Sequence, residues 1–309
     1  MKRFRTYSGY LREHFGQRVH KISLDAGLGC PNRDGTISCR GCIFCNSLGS
    51  GSGALIKNGL SIEEQIERSK TFIKKRYGAH KFIAYFQSFS NTYAPPPALK
   101  LLYERALCHD DIVGLSVATR PDCISEPVMK ILKGYKENYL TWIELGLQSS
   151  HDRTLKLINR GHDVKCFERA ALMIERSGLP LCAHVILGLP GETRQMMLET
   201  ARFIAGLPIH GLKLHLLYVV KGTELAEMYK KGDFRCLEQD EFARLVVDFL
   251  ELIPPDMVIQ RLTGDPLKSE LLAPCWANDK NGTLKLIEQM LEKRDTWQGR
   301  LYRKSSSGG

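Results

Sequence analysis

Short apolar runs alternate with amphipathic stretches along most of the chain. Residues 19–25 alternate apolar and polar with period two, and they read as a strand. Ser61 opens a capping box with Glu64, and Ile62, Ile66 and Ile73 share one helical face to about Tyr77. Residues 81–87 predict the next strand, and a turn at 95–97 leads into a helix ending near Cys108. The beat then repeats, with strands over 112–118, 140–147, 181–187 and 212–219 and a last one over 257–262. Helices are expected over 126–137, 166–177, 193–205, 223–230 and 238–252. Strand centres near 83, 115, 143, 185 and 215 leave room for a helical crossover between parallel neighbours.

The strands are largely apolar, as in a parallel sheet covered on both faces. Six to seven such units predict an α/β fold: a partial (β/α)6-type or full TIM-like barrel, with a doubly wound sheet as the alternative. Residues 1–18 form a basic N-terminal extension, and 19–235 form the barrel core with a cysteine loop at 29–46. Residues 236–304 are an α/β extension completing the barrel side and the substrate site. A glycine-serine run at 49–53 is a flexible exit from the loop, and 305–309 a disordered tail. In either topology function sits at the C-terminal ends of the strands. There the sequence places the cysteine loop, Gln87, Thr119, Arg120, Gln148, the Gly188–Leu189–Pro190 turn and Lys221.

Composition changes this picture little. A chain of 309 residues with 43% hydrophobic content can bury a sizeable core. It has no apolar leader and no long uncharged apolar window, so a soluble cytoplasmic protein without membrane association is expected. Charge adds more. Residues 1–21 carry six Lys/Arg against Glu13, and 285–304 carry six against three acids, so the two ends supply +8 of a net +10. Phe4, Tyr7, Tyr10, Phe15, Trp297 and Tyr302 interleave with these charges, which points toward RNA. Six of the ten cysteines are dispersed singly and, Cys275 excepted, read as small hydrophobes in a reducing compartment.

The other four, Cys30, Cys39, Cys42 and Cys45, fall within sixteen residues. Thiolates at this density bind metal, and three readings are open: a four-cysteine zinc site, a closed four-cysteine [4Fe–4S] cluster, or a three-cysteine cluster with one open iron. Against the first, zinc ribbons place two CxxC pairs on separate hairpins, whereas here the pairs share Cys42. Against the second, an electron carrier needs no large βα scaffold around a polar cleft.

Cys42-Ile43-Phe44-Cys45 after the first strand, with the distal Cys30, resembles the cluster loop of the radical S-adenosylmethionine (SAM) superfamily. The C-x11-C-x2-C spacing is similar to that of the branch containing the Elongator catalytic subunit, in particular a bacterial group reading CPNRDG…GGCxFC. Segments 146–149, 158–162 and 186–193 also resemble ones shared by Elongator-like and coproporphyrinogen-dehydrogenase-like enzymes, in the same order. The resemblance implies a [4Fe–4S] cluster on Cys30, Cys42 and Cys45, with Phe44 packed beside it and SAM on the open iron. It implies reductive cleavage of SAM to a 5′-deoxyadenosyl radical. It also implies SAM contacts from Gln87, Ser90, Asn91, Thr119, Arg120, Gln148, Arg160, His184 and Leu187. Cys39 stands near where related loops have glycine and is expected to be a spectator, with a fourth ligand or a replacement for Cys30 as the alternatives.

On the substrate side, Lys213 and His215 share a strand face, and Cys275, between Pro274 and Trp276, is a candidate reactive thiol. The expected substrate is tRNA. Specifically, it is a wobble-uridine side chain converted from carboxymethylaminomethyl toward aminomethyl, with flavodoxin or ferredoxin as reducing partner. The rival readings are oxidative decarboxylation of a small anionic metabolite and a non-enzymatic iron–sulfur or zinc RNA-binding protein.

Overall fold

The computed structural model describes residues 2–46, 49 and 59–303. Ten helices occur among them: α1 (Tyr7–Phe15), α2 (Ile62–Tyr77), α3 (Pro96–Leu107), α4 (Glu126–Gly134), α5 (Asp152–Leu157), α6 (Val164–Ser177), α7 (Arg194–Ala205), α8 (Glu224–Lys231), α9 (Gln239–Leu252) and α10 (Lys280–Lys293). The strands are β1 (Val19–Leu24), β2 (Lys81–Phe86), β3 (Ile112–Thr119), β4 (Leu140–Gln148), β5 (Leu181–Leu187), β6 (Gly211–Leu216), β7 (Val219–Val220), β8 (Val258–Arg261) and β9 (Leu271–Ala273). Seven of them form one parallel sheet in the order β1-β2-β3-β4-β5-β6-β8, and β7 and β9 pair antiparallel beside it. The sheet is a half-barrel: β1 and β8 are its edges among the described residues, so the partial rather than the full barrel is realised.

Alternation along each strand divides the chain between two environments. Ile22, Leu24, Phe82, Phe86, Leu115, Val117, Leu145, Leu187 and Leu214 belong to one core cluster with the surrounding helices. Their strand neighbours Lys21, Tyr85, Ser116, Glu144, His184 and Lys213 converge instead on one polar group inside the barrel. This polar interior is where the fold departs from a simple doubly buried sheet.

The basic N-terminal stretch is a folded part of the barrel. Thr6 caps α1 by accepting from Gly9 N, and Gly16 ends the helix in the left-handed region. Tyr7, Tyr10 and Leu11 pack with Val19, Ile83, Val113, Leu140 and Trp142 at the starts of β1 to β4. Both tyrosine rings meet Trp142 edge-on, at 6.2 and 5.7 Å between centroids. Thr6 also bridges to Ile259 of β8, so this segment spans the open edge of the half-barrel and plugs its N-terminal end.

The C-terminal basic stretch joins it there. Gln298 N donates to Arg3 O, Gln298 Oε1 accepts from Arg5 N, and Arg3 pairs with Asp295 at 3.1 Å. The two basic ends therefore meet at the strand-start end of the barrel, away from the cysteine loop.

Smaller corrections concern boundaries. α4 stops at Gly134 rather than 137, and β6 stops at Leu216, with Val219–Val220 turning away to pair with β9. α1, α5 and α10 were not anticipated. The glycine-serine exit, apart from Gly49, and the tail at 305–309 lie outside the described residues.

Candidate active site

The cysteine loop follows β1 and is pinned by its own backbone and by the turn after α5. Cys30 O accepts from Arg33 N at 2.8 Å, Asn32 O accepts from Gly41 N at 2.7 Å, and Cys42 O accepts from Cys45 N at 2.9 Å. Two asparagines exchange bonds across the gap. Asn32 Nδ2 donates to Asn159 O and Asn159 Nδ2 donates to Gly41 O, each at 2.6 Å. Ile43 N adds a bond to Ile158 O. Asn159 has φ 50°, and Gly161 follows at φ 76°, where a Cβ would lie 2.6 Å from Asn32 Oδ1. Only glycine fits that position.

This brace brings three thiols together and leaves one out. Cys42 is buried, its sulfur 3.6 Å from both Asn32 Nδ2 and Arg160 Nη1. Burial pushes the Cys45 thiol up to about 12, and the neighbouring Cys42 and Cys30 add to the rise against Arg33 and Arg160. Cys39 is exposed, turned toward Gly35. Three clustered soft donors fit a metal cluster with one position open.

Polar atoms around the thiols also fit a bound cofactor. Asn32 Oδ1, Ser90 Oγ, Asn91 Oδ1, Arg120 Nη1 and Arg160 Nε are buried without a hydrogen-bond partner, an arrangement that costs free energy unless a ligand supplies one. Ser90 N donates to Gly29 O, tying this polar stretch to the cysteine loop. Arg160 spans from Cys42 to Gly146 O, 2.8 Å away. Gly146 leaves room for both side chains, since a Cβ there would meet Gln148 Nε2 at 2.5 Å and Arg160 Nη2 at 2.6 Å and both would have to shift. Gln148 ends β4 at φ 75°, beside a register shift against β5, the kind of strained position that collects at functional sites.

Other expected contacts sit differently. Leu187 belongs to the helix-facing core; Ile186 beside it joins the cluster containing Ile43, so the residue on the loop side is one position earlier. Thr119 shares its hydroxyl with Thr92 at 2.6 Å, bracing two loops. Arg120 forms a two-pronged pair with Asp122, at 2.9 and 2.8 Å, leaving one nitrogen unused. Phe44 packs against the small cluster of Ile43, Leu155, Ile158 and Leu189. Gln87 lies beside Ser23 at the mouth, 3.2 Å away.

Below the thiols lies the polar interior, centred on Glu144. Lys21 reaches Glu144 Oε1 at 2.5 Å and Ser116 Oγ reaches the same oxygen at 2.6 Å, while His184 Nε2 is 2.7 Å from Oε2 and Lys213 also pairs with Oε2. Lys213 donates further to Tyr85 OH at 2.8 Å. Burial alone would raise Glu144, but Lys21, Lys213 and His184 override it and hold its carboxyl well below the usual carboxylate range. Burial lowers Lys213 to about 7, against the pull of Glu144. Burial also lowers His184 to about 4 and drives His215 well down, Arg261 adding to the latter. Lys213 and His215 both face this interior. Cys275 does not: it is exposed on a turn whose Trp276 packs on Phe242 of α9.

Lys21, Tyr85, Asn32 and Asn159 escaped the sequence reading. Lys21 carried a signal, a charge in the middle of a predicted strand. The asparagines carried none, because their role depends on two loops meeting.

Comparisons with known proteins agree with this geometry. The Radical SAM superfamily model matches residues 27–204, and the Radical_SAM C-terminal domain model matches 209–293. The chain is 42% identical over 303 residues to the uncharacterized protein YtqA of Bacillus subtilis, covering 98% of this chain and 94% of that one. It is 29% identical over 184 residues to a tRNA uridine(34) acetyltransferase of Dehalococcoides mccartyi, covering 59% of this chain but 39% of that protein. Among solved structures, the Methanocaldococcus infernus Elp3 lacking its N-terminus superposes with a TM-score of 0.70 at 19% identity, over 91% of this chain and 64% of that one.

Proposed function

We propose that this chain, which belongs to the radical SAM superfamily, applies radical SAM chemistry to a wobble-uridine side chain of tRNA. The chain is a radical SAM enzyme, and its cofactors are a [4Fe–4S] cluster and SAM. Cys30, Cys42 and Cys45 would hold the cluster, and Ser90, Asn91, Arg120, Gln148 and Arg160 would hold SAM. When bound, the pair supplies reductive cleavage of SAM to methionine and a 5′-deoxyadenosyl radical that abstracts hydrogen from substrate.

The chain's own residues do the rest. Asn32, Asn159 and Gly161 fix the cysteine loop. The α1 plug closes the far end of the barrel, which helps keep water from the reacting centre. Glu144 neutralises one of the interior lysines, and the remaining positive charge favours an anionic substrate group. A carboxymethylaminomethyl side chain, converted toward aminomethyl, has such a group.

The observation that carries the reading is the juxtaposition of three clustered thiols with a cationic barrel interior. The tRNA part is supported by the relative named for uridine(34) of tRNA, which this chain matches over part of its length. A flavodoxin- or ferredoxin-type protein would supply the electron. Anaerobic incubation of the reconstituted protein with tRNA, SAM and reductant, read by nucleoside mass spectrometry, tests it. Loss of the carboxymethylaminomethyl nucleoside is expected; unchanged nucleosides alongside SAM cleavage would remove tRNA.

The place of the basic ends favours a second reading, a small anionic metabolite as substrate, since neither end lies at the mouth. Affinity for tRNA that falls steeply with salt supports the first reading, and its absence supports the second.

A further inference from the structure

The ionisable groups around Glu144 are mutually satisfied. Lys21 is taken up by Glu144 and by Gln260, 2.7 Å away, Lys213 by Glu144 and Tyr85, and His184 by Glu144. Arg261, at the end of β8 and in register with Lys213, is the exception. Its side chain is half-buried and has neither a hydrogen bond nor an ion pair among the described residues. Its charge is felt by His215, His184, Lys213, Tyr85 and Tyr218, so the guanidinium faces the interior. Beside it, His215 Nε2 is buried and unpartnered, and the His215 ring lies 5.3 Å from that of His184.

No guanidinium nitrogen of Arg261 is among the buried unpartnered atoms, so the group stays accessible to an arriving anion. Its planar fork of donors matches a carboxylate edge to edge. The interior holds Lys21, Lys213 and Arg261 against one carboxylate, Glu144, whose oxygens are already occupied by four donors. The resident acid cannot serve Arg261 as well.

We propose that Arg261 and His215 form an anchoring subsite for a carboxylate carried by the substrate, with the fork binding both oxygens and His215 donating to one of them. The subsite lies on the substrate side of the barrel, so the inference rests on the interior being the place where substrate binds. It commits to the charged group of the substrate and not to tRNA.

Isothermal titration of the anaerobically reconstituted full chain with N-acetylglycinate, N-acetylglycinamide and methyl phosphate tests it. The carboxylate is expected to bind, and the neutral amide to bind at least about tenfold more weakly. Arg261→Gln is expected to remove this preference. Arg261→Lys keeps the charge without the fork and should fall between, which preserves the test if the glutamine variant does not fold. Equal binding of acid and amide, undiminished carboxylate binding by Arg261→Gln, or tighter binding of methyl phosphate overturns the assignment. Failed tRNA conversion with carboxylate selectivity intact counts against the tRNA reading alone. Conversion that persists without that selectivity counts against Arg261 alone.

Discussion

Glu144 is fully buried and collects two lysines, a serine and a histidine on its two oxygens. Removing one partner of a buried ion pair costs about 3–5 kcal/mol, because the other charge is stranded. Glu144→Gln should fall at the low end of that range, since Lys213, already lowered to about 7, can shed its proton. The pH dependence follows from the direction of the Glu144 shift. Its folded value lies well below the ordinary 4.5, so its contribution is full above that value and is lost as pH falls through the folded one. Urea unfolding at several pH values should show the acid-side loss of stability flattened in Glu144→Gln.

Among the cysteines, Cys39→Ala should keep its full iron content after reconstitution, while alanine at Cys30, Cys42 or Cys45 should lose most of it. Iron assay and visible absorbance check this. The sequence pattern made the four thiols visible, and the resemblance set Cys39 apart from the other three. What turns it outward, the Asn32–Asn159 brace, was not visible, because it joins two loops. Leu187 against Ile186 shows the same limit: alternation marks a strand clearly, but a one-residue error of face exchanges the core for the interior.

At the scale of elements, the strands were legible because their outer faces are uniformly apolar and their helices are capped by local signals such as Ser61 with Glu64. α1 was hidden by its charges. Tyr7, Tyr10, Leu11 and Phe15 already have helical spacing, but the surrounding lysines and arginines drew the reading toward a basic extension outside the barrel core. Leu11→Ala should cost about 2–5 kcal/mol by opening a cavity under the plug, measured by urea unfolding, and should leave iron binding intact because the thiols lie at the other end. Gly161→Ala should act in reverse. The clash with Asn32 loosens the cysteine loop, so iron is lost faster to a chelator while global stability changes less.

For the whole molecule, the half-barrel has a closed end and an open end. α1 and the C-terminal segment seal the strand starts, the cysteine loop and its polar surround cover the strand ends, and a charged interior lies between. The overall α/β plan was readable from the alternation of strands and helices. The meeting of the two basic ends was not, because it joins residues almost three hundred positions apart. The central claim is that Cys30, Cys42 and Cys45 carry a cluster that cleaves SAM reductively. The most direct measurement is the formation of 5′-deoxyadenosine by the anaerobically reconstituted chain with SAM and a strong reductant. Formation is predicted for the wild type and for Cys39→Ala, and not for Cys42→Ala; no 5′-deoxyadenosine from a fully iron-loaded wild type would contradict the account.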